Sequence, residues 1–429
     1  GDMGCPPPTP VPRGGRGCRY TACMRPAIIF DDGLGQLAPL TDLRAAFDVR
    51  TGALTTYERL RRLLDLDVVA VCVPDGLRQV AEERHGQRVN RFTPGGHDPV
   101  LVINGRCVDP PEGVSDLQRN EAIVDPESGH VIAVCRDPEH AWTRTPTGEL
   151  ALTGSEKTRA APRPCLISRP WHVRTFRDRC LALDLDLIAA AGGFDPAPEH
   201  AAVMGTANRV KVHPGARVCP GVVLDAEGGM IVIDEHATVR PGAIITGPAY
   251  IGPRATVLDR AVIRANTSIG PWCKVAGEVS GTIFQGYANK AHDGFLGDSY
   301  VGEWANLGAG TTNSNLLNTY GEVLARATPG SPIERTGETF LGCVIGDHAK
   351  FAICTRIMTG AVVHTGAMWA ATAPASGCVA SFAWVTDSGA KRYRFDKFAE
   401  VARTVMGRRG VTPGEAYMER LRTLHAESE

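Results

Sequence analysis

A histidine stands at position 292 in Asn289-Lys290-Ala291-His292-Asp293-Gly294, a polar stretch that interrupts a ladder of Ile and Val. An imidazole titrates near neutrality, so it can take a proton from an attacking group and return one to a leaving group. Downstream lie Asn306 and Asn315, whose amides offer a donor and an acceptor to hydroxyls or to another amide. Between them, Gly308-Ala309-Gly310 forms a Gly-rich turn whose backbone N–H groups can face a developing oxyanion. Arg264, Lys274 and Lys290 supply nearby cations of the kind that hold a phosphate, and Glu278, ahead of the loop, is a candidate to orient His292. Each residue also has a plainer reading. His292 suits a surface loop that packs on Tyr287 or a neighbouring subunit, and Asn306 suits a turn or a stacked Asn ladder. Asn315 suits a loop cap, and the three cations suit a solvated face.

The elements that must carry these residues are set by a period of six. From Ile233, every sixth residue reads Val239, Ile245, Ile251, Val257, Ile263, Ile269 and Val275. The period returns as Phe295, Val301 and Leu307, then as Ile345, Phe351, Ile357, Val363 and Trp369. Neither a helix nor an ordinary strand repeats at six; hexapeptides that each make a short strand and a turn do, and three of them close one coil of a parallel β-helix. Pro-Gly and Gly-Pro pairs at 214–215, 220–221, 241–242, 252–253 and 270–271 fall at the expected turns. The ladder breaks twice, at 276–294 and at about 313–338. Loops that leave a rigid solenoid are where such folds place their chemistry.

Upstream, short apolar runs at 27–30, 68–73, 100–104 and 130–136 alternate with a helical segment near 55–64, which indicates an open α/β sheet. A connecting helix is expected within 163–191 and a hinge at Gly192-Gly193. Past Trp369, residues 395–408 and 414–424 read as amphipathic helices that cap the solenoid. The expected division is a disordered tail at 1–26, an α/β domain at 27–199, a β-helix at 200–385 and a helical cap at 386–429.

The 429 residues carry a net charge of −1, which offers no basic field for nucleic acid or an anionic membrane. No apolar run is long enough to span a bilayer. The 13 cysteines fall without Cys-x-x-Cys or Cys/His clustering. That pattern points to reduced thiols in a cytoplasmic protein and to no bound metal.

Residues 290–315 resemble the bifunctional N-acetylglucosamine-1-phosphate uridyltransferase/glucosamine-1-phosphate N-acetyltransferase family (GlmU-type). The likeness rests on His292 followed by Phe295-Leu296-Gly297-Asp298, then on Gly302 to Thr311 with Asn306 inside it, and on Asn315. The wording Asn289 to Gly297 with Gly302-Glu303-Trp304 is similar to an alternative bacterial branch with a divergent sugar-nucleotidyltransferase-like N-terminal domain. The resemblance implies a left-handed β-helix behind a Rossmann-like domain, acetyl-CoA as donor, a small amino-sugar phosphate as acceptor and a homotrimer with sites between prisms. It places the catalytic histidine on His292 and the substrate-contacting asparagines on Asn306 and Asn315. The family's tyrosine near the sugar becomes Phe295, its acetyl-CoA-facing alanine is Ala309, and a serine near the coenzyme becomes Cys354. Arg264, Lys274 and Lys290 stand in for its sugar-phosphate cations.

In the N-terminal half, Gly33-Leu34-Gly35-Gln36-Leu37-Ala38-Pro39-Leu40-Thr41 is similar to the Gly-rich loop of sugar nucleotidyltransferases, but it lacks the Thr-Arg pair. Arg44 or Arg50 is the candidate replacement beside Gly33 and Gly35. UTP or another NTP with Mg²⁺ would be the substrate set of an active domain. Gly105-Arg106 occupies the place of the family's metal-binding Gly-Asp, and an arginine cannot coordinate a cation. The expectation is therefore an acetyl-CoA-dependent N-acetyltransferase on an amino-sugar phosphate, fused to a nucleotidyltransferase-like domain, for UDP-N-acetylglucosamine-type synthesis. The rivals are a pyrophosphorylase with a regulatory β-helix, a zinc hydratase of the γ-carbonic-anhydrase kind, which the scattered histidines disfavour, and a non-catalytic trimeric scaffold.

Overall fold

The computed structural model describes residues 24–92, 98–140, 152 and 154–428. Most of the expected disordered tail, residues 1–23, lies outside them.

An N-terminal α/β unit is followed by a left-handed parallel β-helix and two capping helices. In the α/β unit, β1 (Arg25–Phe30) pairs in parallel with β2 (Leu66–Cys72) and β3 (Val100–Asn104). The antiparallel strands β4 (Glu121–Val124) and β5 (Val131–Arg136) and the edge strand β6 (Lys157–Ala160) complete the order β2-β1-β3-β5-β4-β6. The continuous apolar runs of β1, β3 and β5 are buried on both faces, as a covered sheet requires. Helix α1 (Thr56–Leu63) starts at a capping box in which the Thr55 hydroxyl accepts from the Glu58 N–H while the Glu58 carboxylate accepts from the Thr55 N–H. Helix α2 is Arg78–His85, and α3 (His172–Ala191) leaves the sheet and runs onto the prism.

Each prism coil has three sides. Ile233, Ile251, Ile269, Phe284, Val301, Ile345 and Val363 stack in register on the first side, and Val239, Val257 and Val275 on the second. Ile245, Ile263 and Val279 stack on the third. All of them are buried in one core. Non-glycine residues with φ of 54–62° turn the corners, among them His236, Arg254, Trp272, Tyr287, Trp304, His348 and Cys354. The left-handed backbone at the corners accompanies the unusual hand of the coil.

The ladder differs from its simple period at the first break. Val275, Val279, Phe284, Lys290 and Leu296 follow one another as the inward residues, so some sides close with fewer than six residues. Leu296, not Phe295, points into the core. Phe295 is half-buried on the outer surface, where it follows Glu278 in register. Lys290 occupies an inward rung directly beside Val275.

The outer face of the first side is apolar. Val232, Tyr250, Ile283, Tyr300, Val344 and Val362 are buried under Leu40, Val49 and Leu54 and under the α3 residues Val173, Leu181, Leu185 and Ile188. The α/β unit is thus seated along one whole side of the prism. Helices α4 (Phe395–Gly407) and α5 (Glu415–Glu427) pack around Trp304, Phe382 and Tyr393. These contacts leave the corner between the second and third sides, where His292 lies, exposed.

Candidate active site

Four outward residues of the second side stack in one column, because Lys274 pairs with Asn289, Asn289 with Asn306 and Asn306 with Lys350. Successive rungs of a parallel sheet lie about 4.8 Å apart, so the column presents cation, amide, amide and cation to one groove. It lines a cavity of about 660 Å³ together with His292, Ala309, Tyr287 and Trp304. The far wall is α4 and its end, through Val401, Val405, Arg408 and Arg409. His292, Asn306, Ala309 and Lys274 are therefore brought together as the sequence suggested.

His292 itself is exposed at the corner, and its ring makes no hydrogen bond among the described residues. Its position is set by Lys290. The inward Lys290 ammonium donates to the carbonyl oxygens of Ala276, His292 and Asp293 at 3.3, 2.8 and 3.2 Å. The expectation that Lys290 contacts substrate is thus corrected: it is buried in the prism and holds the turn from inside. Burial draws its pKa down to about 8, with Asp293 opposing. On the same outer column as Asn306, Lys350 is drawn down to about 8 by burial. Its Nζ donates to the Trp304 carbonyl at 3.4 Å. Arg409 donates to the Asn289 side-chain oxygen at 2.7 Å. Among the described residues none of Lys274, Lys350, Arg408 and Arg409 makes an ion pair, and no carboxylate lines the cavity. Such an unpaired set favours an anion. Lys350, Arg408 and Arg409 were not foreseen. The available signal was a basic pair ending an amphipathic helix.

At the Gly-rich turn, the Gly308 N–H is spent on the Phe351 carbonyl at 3.1 Å. The Ala309 and Gly310 N–H groups donate to no acceptor among the described residues, and of the two residues Ala309 lines the cavity. Cys354 lies one coil further, exposed. Its N–H donates to the Ala309 carbonyl at 2.7 Å, and its Sγ would lie 3.1 Å from a Cβ on Gly310.

The other expected residues lie on the third side, across the His292 corner. Arg264 pairs with Glu278 at 2.5 Å, so Glu278 is turned to that cation, and no hydrogen bond joins it to His292. Phe295 follows on the next coil. A Cβ on Gly297 would meet the Phe295 ring at 2.5 Å and the Asn315 amide nitrogen at 2.8 Å; glycine here lets both lie against the strand. Asn315 donates to Asp298 at 2.8 Å. Within one chain, then, the candidates form two groups on two faces that meet at one corner.

The N-terminal loop departs from what a triphosphate site needs. Gly33 and Gly35 have φ of 69° and 85°, as the Gly-rich turn predicts. However, the Gly33, Leu34 and Gln36 N–H groups are spent on Asp31, Asp32 and Ser168. Arg44 is buried against Asp347 at 2.7 Å and Glu303 at 3.0 Å of the prism. Arg50 donates to Ala53 and Gln285 carbonyls. Arg44 is closed off by its two carboxylates, and Arg50 lines a separate cavity of about 340 Å³ with Leu54 and Tyr250 that neither Gly33 nor Gly35 lines, which corrects both assignments. Arg106 grips both oxygens of Asp32 at 2.8 and 2.7 Å, while Asp31 caps Gly33 and Ala46. The Asp31 and Asp32 carboxylates are thus both engaged, and no cluster of three His, Cys, Asp or Glu suited to a metal occurs among the described residues. The residues do not fit the metal.

Residues 27–191 match the sequence model of a family described as sugar nucleotidyl transferase. The bifunctional protein GlmU of Sorangium cellulosum is 31% identical over 177 residues, covering 40% of this chain and 33% of that protein. A putative uncharacterized acetyltransferase, YaiX of Escherichia coli K12, is 30% identical over 149 residues, covering 34% of this chain and 64% of that protein. The chain therefore spans less than two thirds of the length of these curated relatives. Among solved structures, a hexapeptide transferase family protein of Anaplasma phagocytophilum shares 14% identity at a TM-score of 0.20, covering 53% and 95% of the two chains. The acetyltransferase domain of PglB from Neisseria gonorrhoeae, solved with acetyl coenzyme A, shares 12% identity at a TM-score of 0.16 over 86% and 98%. No helix among the described residues is long and apolar enough to cross a membrane.

Proposed function

We propose that the protein is an acetyl-CoA-dependent N-acetyltransferase acting on an amino-sugar phosphate of the glucosamine 1-phosphate type. The observation that carries this reading is the meeting of His292, the Asn306 column, Ala309 and a set of cations without ion pairs around one cavity, with the Ala309 and Gly310 N–H groups donating to no acceptor among the described residues. An ammonium has no lone pair to attack with, so the acceptor must lose a proton, and His292 is placed to take it. The same ring then returns a proton to the departing thiolate. The N–H groups of Ala309 and Gly310 face the carbonyl oxygen as charge develops there. Asn306 fixes the acceptor through its amide. Acetyl-CoA, when bound, supplies the activated acyl group; Ala309 and Cys354 are the residues at its thioester end.

The division at 27–199, 200–385 and 386–429 is our working description of the domains. The two residue groups on either side of the His292 corner support assembly as a homotrimer. In that arrangement Arg264, Phe295 and Asn315 of one prism complete a site with the second side of its neighbour. An active monomer by light scattering would remove the assembly. A cytoplasmic role in nucleotide-sugar synthesis follows from the substrate class proposed. The N-terminal unit is nucleotidyltransferase-like in sequence, but we route no step through a metal–nucleotide complex there. The test is thiol release from acetyl-CoA with glucosamine 1-phosphate, by wild type and His292→Ala, with pyrophosphate from UTP followed separately.

A further inference from the structure

Asp298 accepts hydrogen bonds from both units of the molecule at once. Its Oδ1 lies 2.7 Å from Arg177 Nη1 and 3.0 Å from Arg174 Nε, both on α3. Its Oδ2 accepts from the Asn315 amide nitrogen at 2.8 Å. Asp298 is nearly buried and holds a φ of 46°, unusual for a residue with a side chain. Its backbone is tied by its own N–H to the Ser280 carbonyl and by its carbonyl to the Gly342 N–H, both at 2.9 Å. Arg177 also donates to the Gly281 carbonyl at 2.5 Å, and a Cβ on Gly281 would come within 2.4 Å of its Nη1. The arginine is seated on the prism in a fitted place.

We infer that the N-terminal unit serves the acyl-transfer site as a positioning clamp: Arg174 and Arg177 hold Asp298, and Asp298 holds Asn315. This deepens, and rests on, the acetyltransferase reading above. An ionised carboxylate only accepts, so the Asn315 amide must turn its NH₂ toward Asp298. That contact settles which way the amide faces. The side-chain oxygen, with no partner among the described residues, is left as an acceptor for an N–H or O–H of the amino sugar. The arginines set the carboxylate, the carboxylate sets the amide plane, and the amide plane aims one acceptor. The other charged groups facing the pair are Asp178 beside Arg177 at 2.7 Å and Glu338 beside Arg174 at 3.5 Å, so each guanidinium keeps a second anion.

Docking the two units does not need this cluster. The apolar first side and the Arg44 pairs with Asp347 and Glu303 already join them. Arg177→Met is therefore expected to fold.

The experiment is steady-state kinetics on the full chain, with thiol release followed at varied glucosamine 1-phosphate and at varied acetyl-CoA. Arg177→Met is expected to raise KM for the sugar phosphate by about tenfold, the scale of one lost hydrogen bond to a charged group, with KM for acetyl-CoA unchanged. Arg177→Lys is expected to recover part of that rise. Asn315→Ala should show the same rise, and the double variant should be no worse than Asn315→Ala alone, because both act through one contact. Sugar KM unchanged in a folded Arg177→Met, or effects that multiply in the double variant, would overturn the clamp while leaving the acetyltransferase reading intact. Absence of thiol release from wild type would instead overturn that reading, and the clamp with it.

Discussion

Lys290→Met separates the two things a buried lysine can do here. The ammonium makes three hydrogen bonds to carbonyl oxygens, two of them on the His292–Asp293 turn. Bonds from a charged donor are worth about 1.5–3 kcal/mol each when well made, but His292 and Asp293 are exposed, so water replaces much of what their carbonyls lose. Against this loss stands the cost of holding an ammonium on an inward rung beside Val275, a cost large enough to draw its pKa from 10.5 to about 8. Replacing a buried ion by an apolar side chain of similar volume is often neutral. The two effects are of similar size and opposite sign, so stability should change by no more than about 1 kcal/mol. The turn, however, loses its internal anchor, and a catalytic group displaced by about 1 Å loses on the order of a hundredfold in rate. Lys290→Met is therefore expected to unfold in urea near the wild-type midpoint and to release thiol about a hundredfold more slowly. The linkage adds a check. The native state gives up the Lys290 proton near pH 8, the unfolded chain near 10.5, so the unfolded state binds more protons in between. The Lys290 contribution to stability thus rises with pH across that window, and the methionine variant should lack that rise. Wild-type rates in Lys290→Met, or a collapse of its stability, would refute the anchor.

Other consequences can be read with simpler assays. With UTP, glucosamine 1-phosphate or its N-acetylated form and Mg²⁺, no pyrophosphate should be released, because Arg106 holds Asp32; robust release would show that the pair opens. Arg44→Met should cost roughly 3–5 kcal/mol in urea unfolding, because it leaves Asp347 buried without its cation and Glu303 with only Arg84 at 3.9 Å; a loss below about 1 kcal/mol would contradict that. Lys350 is charged below about pH 8 and neutral above it, so binding of the phosphorylated ligand should weaken as pH rises through 8. Lys350→Arg, which stays charged, should flatten that dependence, and an identical pH profile would remove Lys350 from the anion site.

Much of the architecture was legible because it is local and repeated. A prism whose every side must put one apolar residue inward writes that need into the sequence at a fixed spacing, and the ladder from Ile233 to Val275 is buried as the spacing requires. The reading slipped where corners tightened. Leu296 and Val301 are inward residues only five apart, across the corner at Asp298 with φ of 46°, so counting back by six from Val301 landed on Phe295 when Leu296 is the inward residue. Lys290 was read as a surface cation because nothing in a sequence marks a lysine whose ammonium can reach three carbonyls from inside. Arg44 and Arg50 were misread for a different reason. Their partners Asp347 and Gln285 lie 303 and 235 residues away, and only the docking of the α/β unit on the first side brings them together. His292, Asn306 and Ala309 were legible from the motif around them, and Arg408 and Arg409 were not, since their place depends on how α4 folds back over the second side.

The central claim is that His292 removes a proton from an amino sugar at the corner of the prism. Thiol release from acetyl-CoA in the presence of glucosamine 1-phosphate, measured for wild type and His292→Ala, tests it most directly. The account predicts turnover by wild type and a fall of about 10²–10⁴-fold in the alanine variant, with unfolding unchanged because the ring is exposed and makes no hydrogen bond among the described residues. Equal rates from the two proteins would contradict it.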